Sequence, residues 1–336
     1  MLIILTLILI ALLFDFLNGM NDAANAIATV VSTRVLTPRK AVIWAAFFNF
    51  VAAFVFGLAV AKTIGKGIID PQIVNQQLIF SSLLGAIIWT HLCTQYGLPI
   101  SVSHALIGGL VGSGLVKAGT ASLIFGGIYK VIIFIFLSPL IGLIISFFLM
   151  IVVTWIFHRS AIRKVDRIFR IGQLFSSAFF SLGHGTNDAQ KTMGIIAILL
   201  FSSNIDFPSW FYTKSSGFYI PFWVVLAAHT SIGLGTLLGG WKVIHTMGAK
   251  LTHLRPIGGF CAETGGSLVL IITAIFGIPV STTHTITGAI MGVGATRRLS
   301  AVRWGVVGRI VTAWILTIPA SAAMAALVYY LTGKLI

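Results

Sequence analysis

Gly19-Met20-Asn21-Asp22-Ala23-Ala24-Asn25-Ala26 recurs as Gly185-Thr186-Asn187-Asp188-Ala189-Gln190-Lys191-Thr192, identical at four of eight positions. A second pair follows in the same order: Leu98-Pro-Ile-Ser-Val-Ser-His-Ala-Leu-Ile-Gly108 and Ile278-Pro-Val-Ser-Thr-Thr-His-Thr-Ile-Thr-Gly288. The copies lie 166 and 180 residues apart. One such match is weak evidence. Two in one order at nearly one spacing mark an internal duplication, and that reading organises the rest of the chain.

The medium comes from composition. Of 336 residues, 57% are hydrophobic and 9% charged, against about 25% charged in soluble domains. Residues 2–14 run almost directly into 16–31, and 120–157 carries Lys130 as its one charge. A bilayer core of about 30 Å takes about 20 apolar helical residues, so the chain reads as an all-α polytopic membrane protein. The net charge of +15 does not point to nucleic acid, because the cations fall in short clusters between apolar segments. These are Arg34, Arg39 and Lys40; Arg159, Arg163, Lys164, Arg167 and Arg170; Lys242, Lys250 and Arg255; and Arg297, Arg298 and Arg303. Such clusters are cytoplasmic loops under the positive-inside rule. Cys93 and Cys261 lie in apolar runs and read as packing residues. The first 31 residues lack a charged start and a cleavage site, so they are not expected to be a signal peptide.

Placing every basic cluster in the cytoplasm fixes a topology. Residues 2–31 descend from outside and 41–61 return. A re-entrant hairpin, 75–117, enters and leaves on the outer side, and 120–157 descends. A basic cytoplasmic linker, 158–170, joins this N-terminal repeat (1–157) to the C-terminal one (171–336). There 171–203 ascends, 217–240 descends, hairpin 256–296 opens from inside, and 304–331 ascends, leaving both termini outside. The expected fold is an inverted-topology duplication whose two re-entrant hairpins meet near the midplane, where such transporters hold their cargo.

Four acidic residues lie in apolar surroundings: Asp15, Asp22, Asp188 and Glu263. A carboxylate at mid-membrane costs at least about 2.5–3.5 kcal/mol, so each needs a partner or a task. Asp22 and Asp188 are repeat-mates. Asn21, Asp22 and Asn25 offer hard oxygens for a small dehydrated cation, and Gly19 would permit a local break that frees carbonyls. The second copy supplies Asn187 and Asp188 but puts Lys191 where Asn25 stands, so that copy can neutralise Asp188 or attract an anion. Glu263, Asp15, Gln190, Lys191, His104 and His284 are candidates for support or coupling.

Pro99 and Pro279 each break a helix and suit the first turn of the next. Ser101, Val102, Ser103 and His104, and Ser281, Thr282, Thr283 and His284, then fall in that turn. Its free N–H groups and positive dipole end attract an anion, although Ser101 and Ser281 also suit plain N-caps. Two such turns face to face would fit a tetrahedral oxyanion. The histidines show no helical zinc spacing, so no transition-metal site is expected. Gly108–Gly114 and Gly288–Gly294 read as close helix-packing faces.

With these motifs in hand, the chain resembles the inorganic phosphate transporter (PiT) family. The Gly-x-Asn-Asp-x-x-Asn-x signature stands at Gly19–Ala26, with a second copy at Gly185–Thr192. The Pro-x-Ser-x-Ser/Thr-His motifs stand at Pro99–His104 and Pro279–His284. The resemblance covers Asp15 to about Gly294 and lacks a long central insert. It implies a non-enzyme: symport of inorganic phosphate with a cation, commonly sodium, by an elevator-like or rocking motion in a homodimer of the cell membrane. No covalent cofactor is expected. Phosphate is then expected at Ser101, Val102, Ser103, Ser281, Thr282, Thr283, Asn21 and Asn187, and sodium at Asp22, Asn25, Asp188, Asn21 and Asn187. Proton-coupled phosphate or sulfate symport stays open, as more distantly do an ion channel and a membrane-embedded phosphatase.

Overall fold

A computed structural model describes residues 1–333 except 56, 204, 214–216 and 250. Among these, α-helices follow one another as α1 (Leu2–Ser32), α2 (Pro38–Val51), α3 (Ala59–Gly67), α4 (Gln76–Gln95), α5 (Val102–Ala118) and α6 (Phe125–Ile156). The second half repeats the series as α7 (Ile162–Ser202), α8 (Phe222–Leu238), α9 (Trp241–Ala249), α10 (Pro256–Ile275), α11 (Thr282–Ala295) and α12 (Trp304–Thr332). Five described helices are long and apolar enough to cross a membrane, or seven if each bent pair is one span. The chain is all-helical and polytopic, as its composition requires.

The halves exchange partners. Helix α1 packs on α8 and α9, while α7 packs on α2 and α3. Hairpin α4–α5 packs on α12, and hairpin α10–α11 on α6. Small residues set these seams. A Cβ on Gly112 would sit 2.1 Å from the Ala322 carbonyl oxygen, and one on its repeat-mate Gly292 would sit 2.2 Å from that of Leu143. The glycine runs are packing faces.

Along the helix axes the apolar core splits into two large clusters, beside a small third one of Cys93, Ile100 and Ala313. One cluster gathers Ile4, Leu7, Phe14, Ile68 and Leu200, the other Ile27, Phe169, Leu251, Leu254 and Val302. Between them, residues 15–25 of α1 and 184–192 of α7 bring a buried polar layer. The basic segments adjoin the second cluster: Arg170 donates to the Arg34 carbonyl at 2.9 Å, and Arg303 N–H to that of Leu251 at 3.1 Å.

Several expectations need correction. The basic stretch 158–170 is no simple linker, because α7 begins at Ile162 and absorbs most of it. Arg and Lys are good helix formers, and an Asp166–Arg170 ion pair at 2.8 Å ties successive turns. Segment 217–240 holds α8, but no loop follows it. Gly239, at φ +66°, ends α8, and α9 leaves at 74° to it. Lys242 therefore starts α9 and donates to the Gln95 carbonyl at 2.9 Å instead of lying in an end loop; Lys250 lies outside the described residues. Segment 41–61 is likewise divided into α2 and α3. Gly19 does not break α1, which is continuous. It admits α8, since a Cβ there would lie 2.1 Å from the Ile232 carbonyl oxygen.

The hairpin tips turn earlier than their prolines suggest. Gly97 and Gly277, both at φ +65°, end α4 and α10, with Leu98 N–H bonding the Cys93 carbonyl and Ile278 N–H that of Thr273, each at 2.9 Å. This is the left-handed glycine cap closed by a bond back one turn, with proline following because it cannot continue the helix.

The glycine seams predict a contrast. Gly112→Ala and Gly292→Ala force backbones apart and each cost about 1–3 kcal/mol, lowering the melting temperature of the detergent-solubilised protein. Gly126→Ala, whose new methyl would meet nothing within 4 Å, leaves it unchanged.

Candidate functional site

A stripe of polar residues at helical spacing runs down α1: Asp15, Asn18, Asp22, Asn25 and Thr29. Helix α7 faces it in the opposite direction. Asp15 neighbours Thr192, Asp22 lies beside Asp188, and Thr33 donates to Gln173 at 2.8 Å. Residue numbers rise along one helix as they fall along the other, so α1 and α7 are antiparallel.

At the centre, Asp22, His184 and Asp188 place ligand atoms within 4.8 Å of one another. The Thr282 hydroxyl lies 3.2 Å from Asp22 Oδ2 and 3.1 Å from Asp188 Oδ2, so a single hydroxyl bridges both carboxylates. Asn25 donates from Nδ2 to the hydroxyls of Thr282 and Thr283 at 3.2 and 2.9 Å. Its repeat-mate Lys191 reaches the other hairpin: the ammonium pairs with Asp188 and donates to Ser103 Oγ and to the Val280 carbonyl. Thr283 in turn donates to the Ile100 carbonyl at 3.0 Å, tying one tip to the other. All of these side chains are buried.

The hairpin helices start here. Ser101 and Ser281 are N-caps, each accepting from the N–H of the histidine three residues on at 3.2 Å. Their hydroxyls are thus engaged in capping. The first-turn N–H groups of Val102, Ser103, Thr282 and Thr283 remain without intrahelical acceptors, as at any helix start. Behind the tips, His104 and His284 meet edge to face with centroids 4.8 Å apart, and His284 stacks on Trp314 at 3.7 Å. Both histidines pack the tips together from behind.

Other expected residues lie elsewhere. Asn21 joins the cluster by donating to Asp22 Oδ1 at 2.9 Å while accepting from Thr94 at 2.9 Å. Asn187 does not: its amide donates to the Gly183 and Leu270 carbonyls, both at 2.9 Å, between α7 and α10. Gln190 holds the start of α3, accepting from Ala61 N–H at 3.1 Å and donating to the Gly57 carbonyl at 2.7 Å. Glu263 makes a separate cluster, accepting from Thr29, Gln173 and Ser176. Asp15 is fully buried nearer the first apolar cluster.

Charge decides what the centre can hold. Counted in their ionised forms, two aspartates and one lysine carry one net negative charge at a buried point where Coulomb attraction is strong. The carboxylate oxygens therefore favour a cation, and the ammonium, hydroxyls and helix starts beside them favour an anion. His184 is the member that the sequence motifs do not single out. Asn49 is oriented by donating to Thr236 at 2.9 Å, so its carbonyl oxygen accepts from His184 Nδ1 at 3.0 Å. That leaves Nε2 facing Asp188 Oδ2 at 3.3 Å. The four-residue spacing of His184 and Asp188 was the available signal.

The phosphate transporter family model matches residues 18–325. The chain belongs to the phosphate transporter family. A Rhizobium meliloti protein named "Probable low-affinity inorganic phosphate transporter" is 56% identical over 324 residues, 96% of this chain and 95% of its own. A Bacillus subtilis protein of the same name is 43% identical, with 99% of each chain covered. A solved structure described as "The sodium-dependent phosphate transporter" superposes with a TM-score of 0.86 at 28% identity, covering 100% of both chains. This member of the family is accordingly a membrane protein and not an enzyme.

The ion pair at the centre makes a stability prediction. Lys191→Met strands Asp188 as a buried unpaired charge and costs about 3–5 kcal/mol, read as a lower melting temperature in detergent. Adding Asp188→Asn to it restores most of the loss, whereas two independent sites would give additive losses.

Proposed function

We propose that this chain carries inorganic phosphate into the cell together with sodium ions by alternating access. One observation carries the reading: two hairpin helix starts and Lys191 converge on the buried Asp22–Asp188 pair, so donors for an oxyanion and oxygens for cations share one sealed layer. In this reading phosphate accepts from Lys191, from the hydroxyls of Ser103, Thr282 and Thr283, and from the first-turn N–H groups. Sodium takes Asp22, Asp188, Asn21 and Asn25. Asn187 is kept as a ligand only if its free oxygen turns inward, since its amide is engaged with backbone.

Family membership supports phosphate as cargo, and the described sodium dependence of the structural neighbour supports the coupling ion. Energetics asks for coupling too. Each elementary charge moved across 100 mV is worth about 2.3 kcal/mol, so a divalent phosphate entering an inside-negative cell needs at least two cations beside it. The antiparallel α1 and α7 and the exchanged packing partners support two halves of inverted topology, 1–157 and 171–336. Basic segments gathered near one core cluster support that end as cytoplasmic, with both termini outside. A homodimer belongs to the same reading on the strength of the family resemblance.

The test is uptake of radioactive phosphate into proteoliposomes. A sodium gradient drives it, sulfate fails to compete, and Asp22→Asn reduces it at least tenfold. Equal uptake with a proton gradient and no sodium rejects the sodium assignment; full competition by sulfate rejects the substrate.

A further inference from the structure

Seven residues before Asp22 on α1, about 10 Å along the axis at 1.5 Å per residue, Asp15 is 0% exposed, and among the described residues neither of its oxygens accepts a hydrogen bond. Its nearest polar side chains are Asn18, on the next turn of α1, and Thr192 across on α7. The Asn18 Oδ1 and Thr192 Oγ1 atoms are themselves buried without a partner among the described residues. Asp15, Asn18 and Thr192 thus bring four oxygens that lack a well-formed hydrogen bond to one stretch of the α1–α7 seam, and an unmet buried carboxylate is costly in apolar surroundings.

We infer that Asp15, Asn18 and Thr192 form a further cation site, for a monovalent alkali ion, above the Asp22–Asp188 pair. This rests on the sodium-coupled reading and extends it. The oxygens are hard ligands, suited to a small closed-shell ion. One carboxylate balances one positive charge, whereas a divalent ion would leave a net charge among Leu7, Phe14 and the apolar residues around them. Lys191 and Asp188, the nearest charges, oppose each other in sign. A cleft opens on the same two helices. It measures about 930 Å³ and is lined by Thr6 and Ile10 of α1 and by Leu199 of α7. Its wall at Ile10 is five residues, about 7.5 Å, from Asp15. Leu7 lines the cleft as well, and both leucines are buried.

The experiment is equilibrium binding of radioactive sodium to the purified full-length protein without phosphate, choline replacing sodium for ionic strength. The wild type is compared with Asp15→Asn, Thr192→Val, Thr192→Ser and Asp22→Asn. Asp15→Asn is expected to bind one sodium fewer per chain, and Thr192→Val to weaken one site about tenfold while Thr192→Ser keeps it. Should Asp15→Asn fail to elute as a single species, the two Thr192 variants decide alone. Unchanged sodium number and affinity in Asp15→Asn or Thr192→Val, with loss in Asp22→Asn, overturns this site and leaves the sodium-coupled reading standing. A wild type that binds no sodium overturns both.

Discussion

Two aspartates held against each other where water does not reach are the constraint that the remaining structure answers to. Asp22 and Asp188 belong to antiparallel helices of different halves, and each would be intolerable alone in an apolar interior. Lys191 offsets one charge, the Thr282 hydroxyl bridges both carboxylates, and Asn21 and Asn25 fill the flanks. These partners come from α1, α7 and α11, with Ser103 of α5 bound to the same ammonium. Satisfying the acids therefore draws both hairpins to one point. The polar layer and the closure of the hairpins are one event, and the two apolar clusters are what lies on either side of it.

The paired sequence motifs sit on similar packing and carry unequal chemistry. Gly108 and Gly288, Gly112 and Gly292, and Pro139 and Pro319 occupy matching places in the seams. Thr283 and Ser103 both receive a side chain from the opposite half, yet one comes from an amide and the other from an ammonium. Lys191 in place of Asn25 puts an ammonium where the first motif has an amide. Close packing of backbones allows little drift at the glycines, whereas a buried side chain can change if its new charge finds a counterpart.

Much of this was legible in the sequence because the decisive signals were local or repeated. The paired Asn-Asp motifs and Pro-Ser-x-Ser/Thr-His corners pointed to the duplication, the hairpins and the central aspartates. What escaped depended on contacts between distant segments. Gly19 looked like a helix breaker because glycine permits a break, but the approach of α8 used it as a space. The basic stretch before 171 looked like a loop because it is charged, though its residues favour helix and α7 simply continues through it. The motifs did not single out His184, whose partner Asn49 lies 135 residues away. Asn187 shares its motif with Asn21 yet turns to the carbonyl of Leu270 on α10.

The broken helices impose a mechanical hierarchy. Thr63 of α3 donates to the Gly277 carbonyl at 2.7 Å, and Thr246 of α9 to that of Gly97 at 3.0 Å. Each tip is thus latched by a hydroxyl from the opposite repeat, a bond worth about 1 kcal/mol net. The seam joining each hairpin to α12 or α6 is a run of interlocked backbone that no single hydroxyl rivals. Any displacement of a tip therefore shears the weak latch before the strong seam. A tip displaced in this way would keep its hairpin packed on α12 or α6, because interlocked backbone resists separation more than one hydroxyl does.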